Sequence, residues 1–195
     1  STTAGTGIAI NGTLMTASIF DNLWILDVNK GFFFNLSGTH YNIVEDTRID
    51  VEGANSVGVL LDSIANENTL QRLRISTTID STGVFINSHG NELYSVNVET
   101  NAGHGIDIGS EGHDNLLSGI YLEGNDINIR IQEGAEANVI SGGFIADADT
   151  TNIIDDGDGT LWLNPRVQYQ DYGIVTNSTG NFTGYLYAGN ELVNK

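Results

Sequence analysis

The chain carries an acidic run whose side chains could bind a metal ion. Its carboxylates are those of Asp147, Asp149, Asp155, Asp156 and Asp158. Carboxylates spaced two residues apart beside glycine are suited to Ca²⁺, which takes about six to eight oxygen ligands. The run lacks the spacing and the bidentate glutamate of an EF-hand loop, so a solvated acidic loop is the alternative. Calcium is the only cofactor that the sequence suggests.

Aromatic, amide and guanidinium side chains in the middle of the chain could instead bind sugars. The residues concerned are Arg74, Tyr94, Asn97 and Tyr121. An aromatic ring stacks on the face of a sugar, while amide and guanidinium groups hydrogen-bond to its hydroxyls. These side chains can act together only if the fold brings them onto one surface.

The elements that would position these residues repeat along the chain. A polar residue stands two places before an apolar one six times, and the apolar members lie 23, 23, 23, 22 and 21 residues apart. They are Leu70, Leu93, Leu116, Val139, Leu161 and Phe182. A fixed period in this range indicates a solenoid.

A second series supports the same period. Short apolar alternations begin at Gly7, Gly31, Gly58, Gly83 and Gly105. Each repeat therefore contains at least two short strands of period two, with Gly, Asn, Asp and Ser between them. Asparagine tolerates the left-handed backbone of such turns, and its side chain can bond along a stack.

The pattern predicts an all-β, right-handed, single-stranded parallel β-helix of about eight coils, each of roughly 21–26 residues. Residues 1–165 form the β-helix, and residues 166–195 form its last coils or a C-terminal cap within the same domain. The chain opens almost directly in a coil, without a capping helix. We therefore expect that it continues, or packs against other chains, at that end.

Two outward rows follow from the alternation of side chains along a strand. Arg74, Asn97 and Tyr121 stack in one row, with Tyr94 nearby in the same strand, and these four residues are predicted to contact glycan. The other row stacks Phe33, Phe85, Asp107 and either Asn128 or Arg130. If Phe33 and Phe85 point outward, they form an exposed apolar stripe and predict a subunit interface.

One stretch resembles a known enzyme family. Residues 103–110, Gly-His-Gly-Ile-Asp-Ile-Gly-Ser, resemble the G-H-G-x-x-I-G-S stretch of polygalacturonase-type glycoside hydrolases, which are right-handed β-helices. The stretches 130–132 and 86–88 match two further short motifs of that family, and the likeness covers about residues 80–135. In the family, the histidine supports the catalytic carboxylates and the arginine binds sugar. The resemblance therefore implies these roles for His104 and Arg130.

The chain departs from that family at the carboxylates. Ser81 and Thr82 stand where the family has an Asp pair, residues 55–57 lack its third carboxylate, and Gln132 replaces its lysine. Inverting hydrolysis needs two carboxyl groups about 6.5–9.5 Å apart. The catalytic apparatus is thus incomplete, with Asp80, His104, Asp107 and Arg130 as its candidates.

Lyase chemistry of the pectate-lyase kind needs acidic Ca²⁺ ligands beside a basic residue. Arg72, Arg74 and Arg130 are the basic candidates in the middle of the rod, and none sits in an evident acidic triad.

The whole chain, with its predicted right-handed parallel β-helix coils, is also similar to virus tail spikes and other virion surface projections. Proteins of that kind are typically homotrimers that bind host glycans, and many cleave them. The resemblance implies a trimeric virion surface or tail spike module that binds host-cell surface polysaccharide or glycoprotein glycan, beside neighbouring virion proteins. The alternatives are a polysaccharide depolymerase, either hydrolase or lyase, and a structural solenoid or adhesin without enzymatic activity.

Composition narrows the classes of partner. The 195 residues carry a net charge of −18 with only two lysines, which argues against binding to nucleic acid or to anionic membranes. An acidic surface this poor in lysine is typical of adaptation to high salt. We therefore expect a virion surface or extracellular setting in a high-salt environment. The chain has no cysteine and therefore no disulfide framework.

Glycosylation sequons begin at Asn11, Asn35, Asn177 and Asn181.

Overall fold

The computed structural model of the chain is a parallel β-solenoid, which confirms the predicted fold class. It describes residues 5–10, 16–34, 39–62, 64–77, 79–99 and 102–168, together with the short stretches 174–176, 182–183, 186–188 and 191–193. Within these ranges every regular element is a strand.

Each of the first seven coils contributes one strand to each of three parallel sheets, always in the same order, and the chain that follows adds an eighth strand to each of the first two sheets. The strands of the first four coils are β1 (Thr6–Ile10), β2 (Ile19–Asp21), β3 (Trp24–Val28); β4 (Lys30–Phe34), β5 (Ile43–Glu45), β6 (Arg48–Val51); β7 (Val57–Asp62), β8 (Thr69–Gln71), β9 (Arg74–Thr77); β10 (Ile79–Asn87), β11 (Glu92–Tyr94) and β12 (Asn97–Glu99). The next coils supply β13 (Ala102–Ile108), β14 (Leu116–Ser118), β15 (Tyr121–Glu123); β16 (Ile127–Ile131), β17 (Val139–Ser141), β18 (Phe144–Ala146); β19 (Thr151–Asp155), β20 (Leu161–Leu163), β21 (Arg166–Val167); β22 (Ile174–Thr176) and β23 (Phe182–Thr183). The first sheet begins with β1, the second with β2 and the third with β3.

The number of turns is slightly smaller than predicted. The third sheet has seven strands, and six turns of the chain join the first of them to the last. The solenoid therefore makes about six complete turns rather than eight. The parallel series ends there, and the last two strands, β24 (Leu186–Ala188) and β25 (Glu191–Val193), pair with each other in antiparallel fashion. Register partners in the first sheet are between 21 residues apart (Ile153 and Ile174) and 27 residues apart (Lys30 and Val57), so the longest coil exceeds the predicted range.

The interior is a stack of aliphatic side chains, and one predicted register within it is wrong. In the second sheet Leu93 pairs with Leu117, one residue beyond the predicted Leu116. Side chains alternate with period two, so a one-residue slip moves each of them to the opposite face. Leu117 is fully buried, as are Ile140 and Trp162 in the following coils, whereas Leu116 is only half-buried. Each inward aliphatic side chain stabilises the stack by roughly 1.5–3 kcal/mol.

Left-handed residues make two of the corners of each coil. One series precedes the strands of the second sheet and comprises Ala17, Tyr41, Glu67, Gly90, Asp114, Ala137 and Gly159. The other series separates the second sheet from the third and comprises Asn22, Asp46, Arg72, Ser95, Gly119, Gly142 and Asn164. Most of these residues are not glycine, although a left-handed backbone costs other residues about 1–2 kcal/mol. The bends are therefore imposed by the stack as much as by local sequence.

Buried asparagines follow the first series of corners and bond along the stack, as predicted. They form a ladder of Asn42, Asn68, Asn91, Asn115 and Asn138. The Oδ1 of Asn115 accepts hydrogen bonds from the backbone N–H and the Nδ2 of Asn91, at 2.9 and 3.2 Å. The Nδ2 of Asn115 in turn donates to the Oδ1 of Asn138 at 3.0 Å. The ladder thus satisfies backbone groups at the corners that no strand can pair.

Candidate functional site

One face of the third sheet presents a continuous line of large side chains parallel to the solenoid axis. We call it the axial row, and it comprises Trp24, Arg48, Arg74, Asn97, Tyr121, Phe144 and Arg166. Consecutive members are register partners on adjacent strands, which lie about 4.8 Å apart. The predicted stacking of Arg74, Asn97 and Tyr121 is confirmed. Sequence reasoning missed the other four members, although each stands two residues after a left-handed corner.

Tyr94 does not belong to this row, and its predicted place in the same strand is wrong. It lies in β11 of the second sheet, where its register partners are Gln71 and Ser118. The left-handed corner at Ser95 separates it from β12. Its hydroxyl donates a hydrogen bond to Glu92 at 3.1 Å.

A line of carboxylates runs beside the axial row, two residues further along the strands. This acidic row comprises Asp50, Glu99 and Glu123, with Ser76 between the first two in the register. Arg48 forms an ion pair with Asp50 on its own strand at 2.8 Å. Glu99 accepts a hydrogen bond from Asn97 at 2.8 Å and lies 3.5 Å from the guanidinium of Arg74. Arg48 and Arg74, the cations in the middle of the axial row, therefore have carboxylates close by.

The axial row has aromatic rings towards both ends. The rings of Tyr121 and Phe144 are 5.2 Å apart at an angle of 32°, and the guanidinium of Arg166 lies 5.2 Å from the centre of the Phe144 ring. The Tyr121 hydroxyl donates to Glu123 at 2.5 Å. Towards the other end, Trp24 is 73% exposed. The exposed Trp24 ring and the half-buried Tyr121 and Phe144 rings, with paired polar groups between them, suit contact with a hydroxyl-rich ligand.

The phenol of Tyr121 should titrate at unusually high pH. Its hydrogen bond to the Glu123 carboxylate raises its pKa above 10.0, and desolvation and the charges of Glu123, Glu99 and Asp147 act in the same direction. The hydrogen bond from Tyr121 to Glu123 therefore stabilises the folded protein at neutral pH, and this stabilisation is lost as the pH rises through the raised pKa of Tyr121. We expect Glu123→Gln to lower this pKa towards the ordinary value. An alkaline absorbance titration of the phenol, with Tyr121→Phe to identify its signal, would measure the change; an unchanged pKa would contradict the assigned contact.

The first sheet brings two of the predicted catalytic candidates together. Asp107 is only 5% exposed, and Nε2 of Gln132 donates to both of its carboxylate oxygens at 3.0 and 3.1 Å. Nδ1 of His104 lies 3.4 Å from Oδ2 of Asp107. Arg130 is the register partner of Asp107 on the next strand.

Asp80 stands apart from that group. It is an exposed residue with left-handed backbone, and its carboxylate makes no hydrogen bond or ion pair with any residue that the structure describes. The register partners of Asp107 are Phe85 and Arg130, so neither of them supplies a second carboxylate.

The acidic run is dispersed rather than gathered around one point. Asp155 is 2% exposed at an inward position, where it accepts hydrogen bonds from Nε1 of Trp162 at 2.9 Å and from Thr160 at 3.2 Å. Asp147 is a left-handed residue, whereas Asp149 and Asp158 are exposed and Asp156 is half-buried. Among the described residues, no group of three or more Asp, Glu or His side chains could hold a metal ion. The predicted calcium site thus gains no support from the fold.

The predicted apolar stripe does point outward. Phe33, Leu60 and Phe85 are register partners on the outer face of the first sheet, and all three are half-buried. We call them the apolar row. The Nζ of Lys30 lies 4.4 Å from the centre of the Phe33 ring.

Other sequence features lie elsewhere. The four sequon asparagines, at positions 11, 35, 177 and 181, fall outside the described residues. Within the described part of the chain, no helix is long and apolar enough to span a membrane.

No protein-family model matches the chain, and neither a curated protein nor a solved structure is significantly similar to it. The class of protein is therefore defined by the fold alone. It is a parallel β-solenoid with a polar and aromatic row along one outer face.

Proposed function

We propose that this protein is a glycan-binding module of a virion surface projection, and that it attaches to host-cell surface polysaccharide through the axial row. The observation that carries the proposal is the unbroken register of rings, guanidinium groups and an amide along one face of the third sheet. Rings supply the stacking surface for sugars, and the polar groups between them supply hydrogen bonds to hydroxyls.

The geometry favours a role for the axial-row side chains in ligand binding over a role in stabilising the fold. Tyr121 and Phe144 form their pair on the outside of the sheet, away from the aliphatic interior. Arg74 is exposed, and its ion pair with Glu99 lies at the surface, where such pairs contribute only about 0–1 kcal/mol to stability. A rigid sheet also holds such groups at fixed spacing, which lowers the entropy cost of binding.

The proposal predicts that Tyr121→Ala weakens glycan binding about tenfold, because an aromatic contact contributes up to about 1.5 kcal/mol beyond the area it buries and about 1.4 kcal/mol is a factor of ten in Kd. Tyr94→Ala is the matched control, since Tyr94 also bonds to a glutamate two residues away but lies on the second sheet. Binding to immobilised host surface polysaccharide would be measured for both variants and the parent protein. Equal losses in the two variants, or no binding by the parent, would refute the proposal.

A homotrimer fits the apolar row. Phe33, Leu60 and Phe85 lie on the first sheet and the axial row lies on the third, so subunits could pack through one face and leave the other open. Outward apolar stripes of this kind usually mark an interface. The acidic, lysine-poor surface is compatible with a virion exposed to high salt.

Phe85→Glu is therefore expected to convert trimers into monomers, because burying an unpaired carboxylate in a subunit contact is costly. Sedimentation velocity or mass photometry at matched concentration would report the change in mass. Ser118→Glu places the same charge on an outward, half-buried position of the second sheet and should leave the assembly intact. A parent protein that is already monomeric would exclude the trimer.

Polysaccharide hydrolysis is a second candidate function, favoured by one observation in the acidic row. Glu99 and Glu123 are register partners, so their backbones lie about 4.8 Å apart on adjacent strands and their carboxyl groups project from the same face. Retaining glycosidases use two carboxyl groups about 5–5.5 Å apart. New reducing ends that disappear in Glu123→Gln would establish hydrolysis, and unsaturated products would indicate a lyase. Unchanged polymer at high protein concentration would reject both chemistries.

A further inference from the structure

We infer that the bound glycan is a neutral, linear polysaccharide lying parallel to the solenoid axis, held by one aromatic subsite at Trp24 and another at Tyr121 and Phe144. The inference rests on the proposed function and specifies the ligand of the same face. It follows from the length of the axial row, from its local charge balance and from the exposure of Trp24.

The row is too long for a single sugar to contact both of its ends. Four strand steps separate Trp24 from Tyr121, through Arg48, Arg74 and Asn97. At about 4.8 Å a step, the two rings are roughly 19 Å apart along the axis. Only an extended chain of several sugar units can reach both rings, and the three polar side chains between them face its hydroxyls.

The charge balance of the face favours a neutral chain. The cations in the middle of the row already have anions beside them, since Arg48 pairs with Asp50 and Arg74 lies beside Glu99. A glycan carboxylate or sulfate would have to displace these partners and would face Glu123 as well. The net charge of −18 adds a general repulsion of anionic polymers.

Arg166 is the exception, at the end of the row. Among the described residues it has no carboxylate partner, and its guanidinium lies over the Phe144 ring. This position extends the aromatic subsite rather than forming a separate anion site, because the cation is already stacked on the ring.

Trp24 lies on β3, the end strand of the third sheet, in a first coil that also exposes Ile19 and Leu26. The other tryptophan, Trp162, is 1% exposed and packs in the interior, whereas the Trp24 indole is 73% exposed on the outer face of β3. An isolated indole in water contributes little to folding. Its place in the same register as Arg48 and Arg74 puts it in line with the ring pair at the other end.

The experiment compares polymers first and lengths second. The full chain is tested on an array of linear polysaccharides, with neutral glucans, mannans and galactans on one side and polyuronates and hyaluronan on the other. The neutral polymer that binds best is then cut into graded oligosaccharides. We expect affinity to rise with length until the oligosaccharide spans both rings, and to level off beyond that length.

Two variants then separate the subsites. Trp24→Ala should weaken binding of the long oligosaccharides about tenfold and leave the short ones unchanged, whereas Tyr121→Ala should weaken both. Trp24→Phe retains a ring and should restore most of the affinity. Unfolding midpoints of the Trp24 variants equal to that of the parent would show that the fold is unaffected.

The outcomes distinguish this inference from the proposed function. Binding that responds to Tyr121→Ala but not to Trp24→Ala, that is independent of length, or that prefers anionic polymers overturns the extended neutral ligand and leaves glycan binding standing. No binding to any polymer of the array overturns both. Loss of self-association on Trp24→Ala, with glycan affinity unchanged, would assign the indole to a protein contact instead.

Discussion

Gly58→Ala should destabilise the protein by about 3 kcal/mol, the upper end of the usual cost of overpacking a core. A Cβ at this position would lie 2.5 Å from the carbonyl oxygen of Gly83 and 2.5 Å from Cγ2 of Ile75. The first of these atoms belongs to the backbone of the next coil, and the spacing of that coil is held by the sheet hydrogen bonds. Gly58 stands in a column of first-sheet glycines, with Gly31 before it and Gly83 after it.

Thermal and urea unfolding of the variant would measure the loss, which corresponds to a midpoint lowered by roughly 6–12 °C for a chain of this size. Gly5→Ala is the matched control, because a Cβ there has no atom within 4 Å. A Gly58→Ala protein as stable as this control would mean that the coils are free to move apart. The rigid spacing assumed for the axial row would then be in doubt as well.

Asn115→Asp is the second change with a large expected effect, at about 3 kcal/mol or more at neutral pH. The substitution removes the amide that donates to the carbonyl oxygen of Ser88 at 2.9 Å and to Oδ1 of Asn138 at 3.0 Å. Each buried group that loses its partner costs about 1–3 kcal/mol, and a carboxylate would also face the Asn138 oxygen without a cation.

The loss should depend on pH in a defined direction. Burial raises the pKa of a carboxyl group introduced at position 115, so the variant is protonated in mildly acidic solution and regains one donor. The variant should therefore be closest to the parent at low pH and should lose stability as the pH rises. Parallel unfolding curves at several pH values would test this, and a difference that does not vary with pH would contradict the buried position.

A surface counterpart is available for comparison. Asn22→Asp makes the same chemical change at an exposed left-handed corner, and the next coil already has Asp46 at the equivalent corner. We expect little effect there at any pH. An equal loss in both variants would point to net charge rather than to the ladder.

Much of the fold could be predicted because two of its structural requirements are each met by one particular residue type. Gly31, Gly58 and Gly83 recur where coils approach each other closely, and Asn91 and Asn115 recur where corner groups need buried partners. Both residue types have no apolar substitute at these places, so the period is visible in the sequence.

The errors arose where residue identity carries less information. Leu116 and Leu117 are adjacent and apolar, so spacing alone could not decide which of them points inward. Ser95 marks its corner more weakly than Gly, Asn or Asp would, so the sequence does not separate Tyr94 from the strand that follows.

The site was only partly predictable for a related reason. Trp24, Phe144 and Arg166 share no residue type with Asn97 or Tyr121, and only the register of the coils relates them. Each axial-row residue comes two positions after a left-handed residue, so the positions of these corners would identify the whole row. The corners are difficult to recognise in the sequence because few of them are glycine.

Since every winding of the backbone contributes one side chain to the axial row, the length of that row can change only in whole coils. Duplicating or deleting a coil would lengthen or shorten the contact surface by one increment of about 4.8 Å and leave the remaining contacts in place. The number of coils therefore sets the length of ligand that the protein can contact. The residue that each coil contributes to the axial row sets which ligand is preferred.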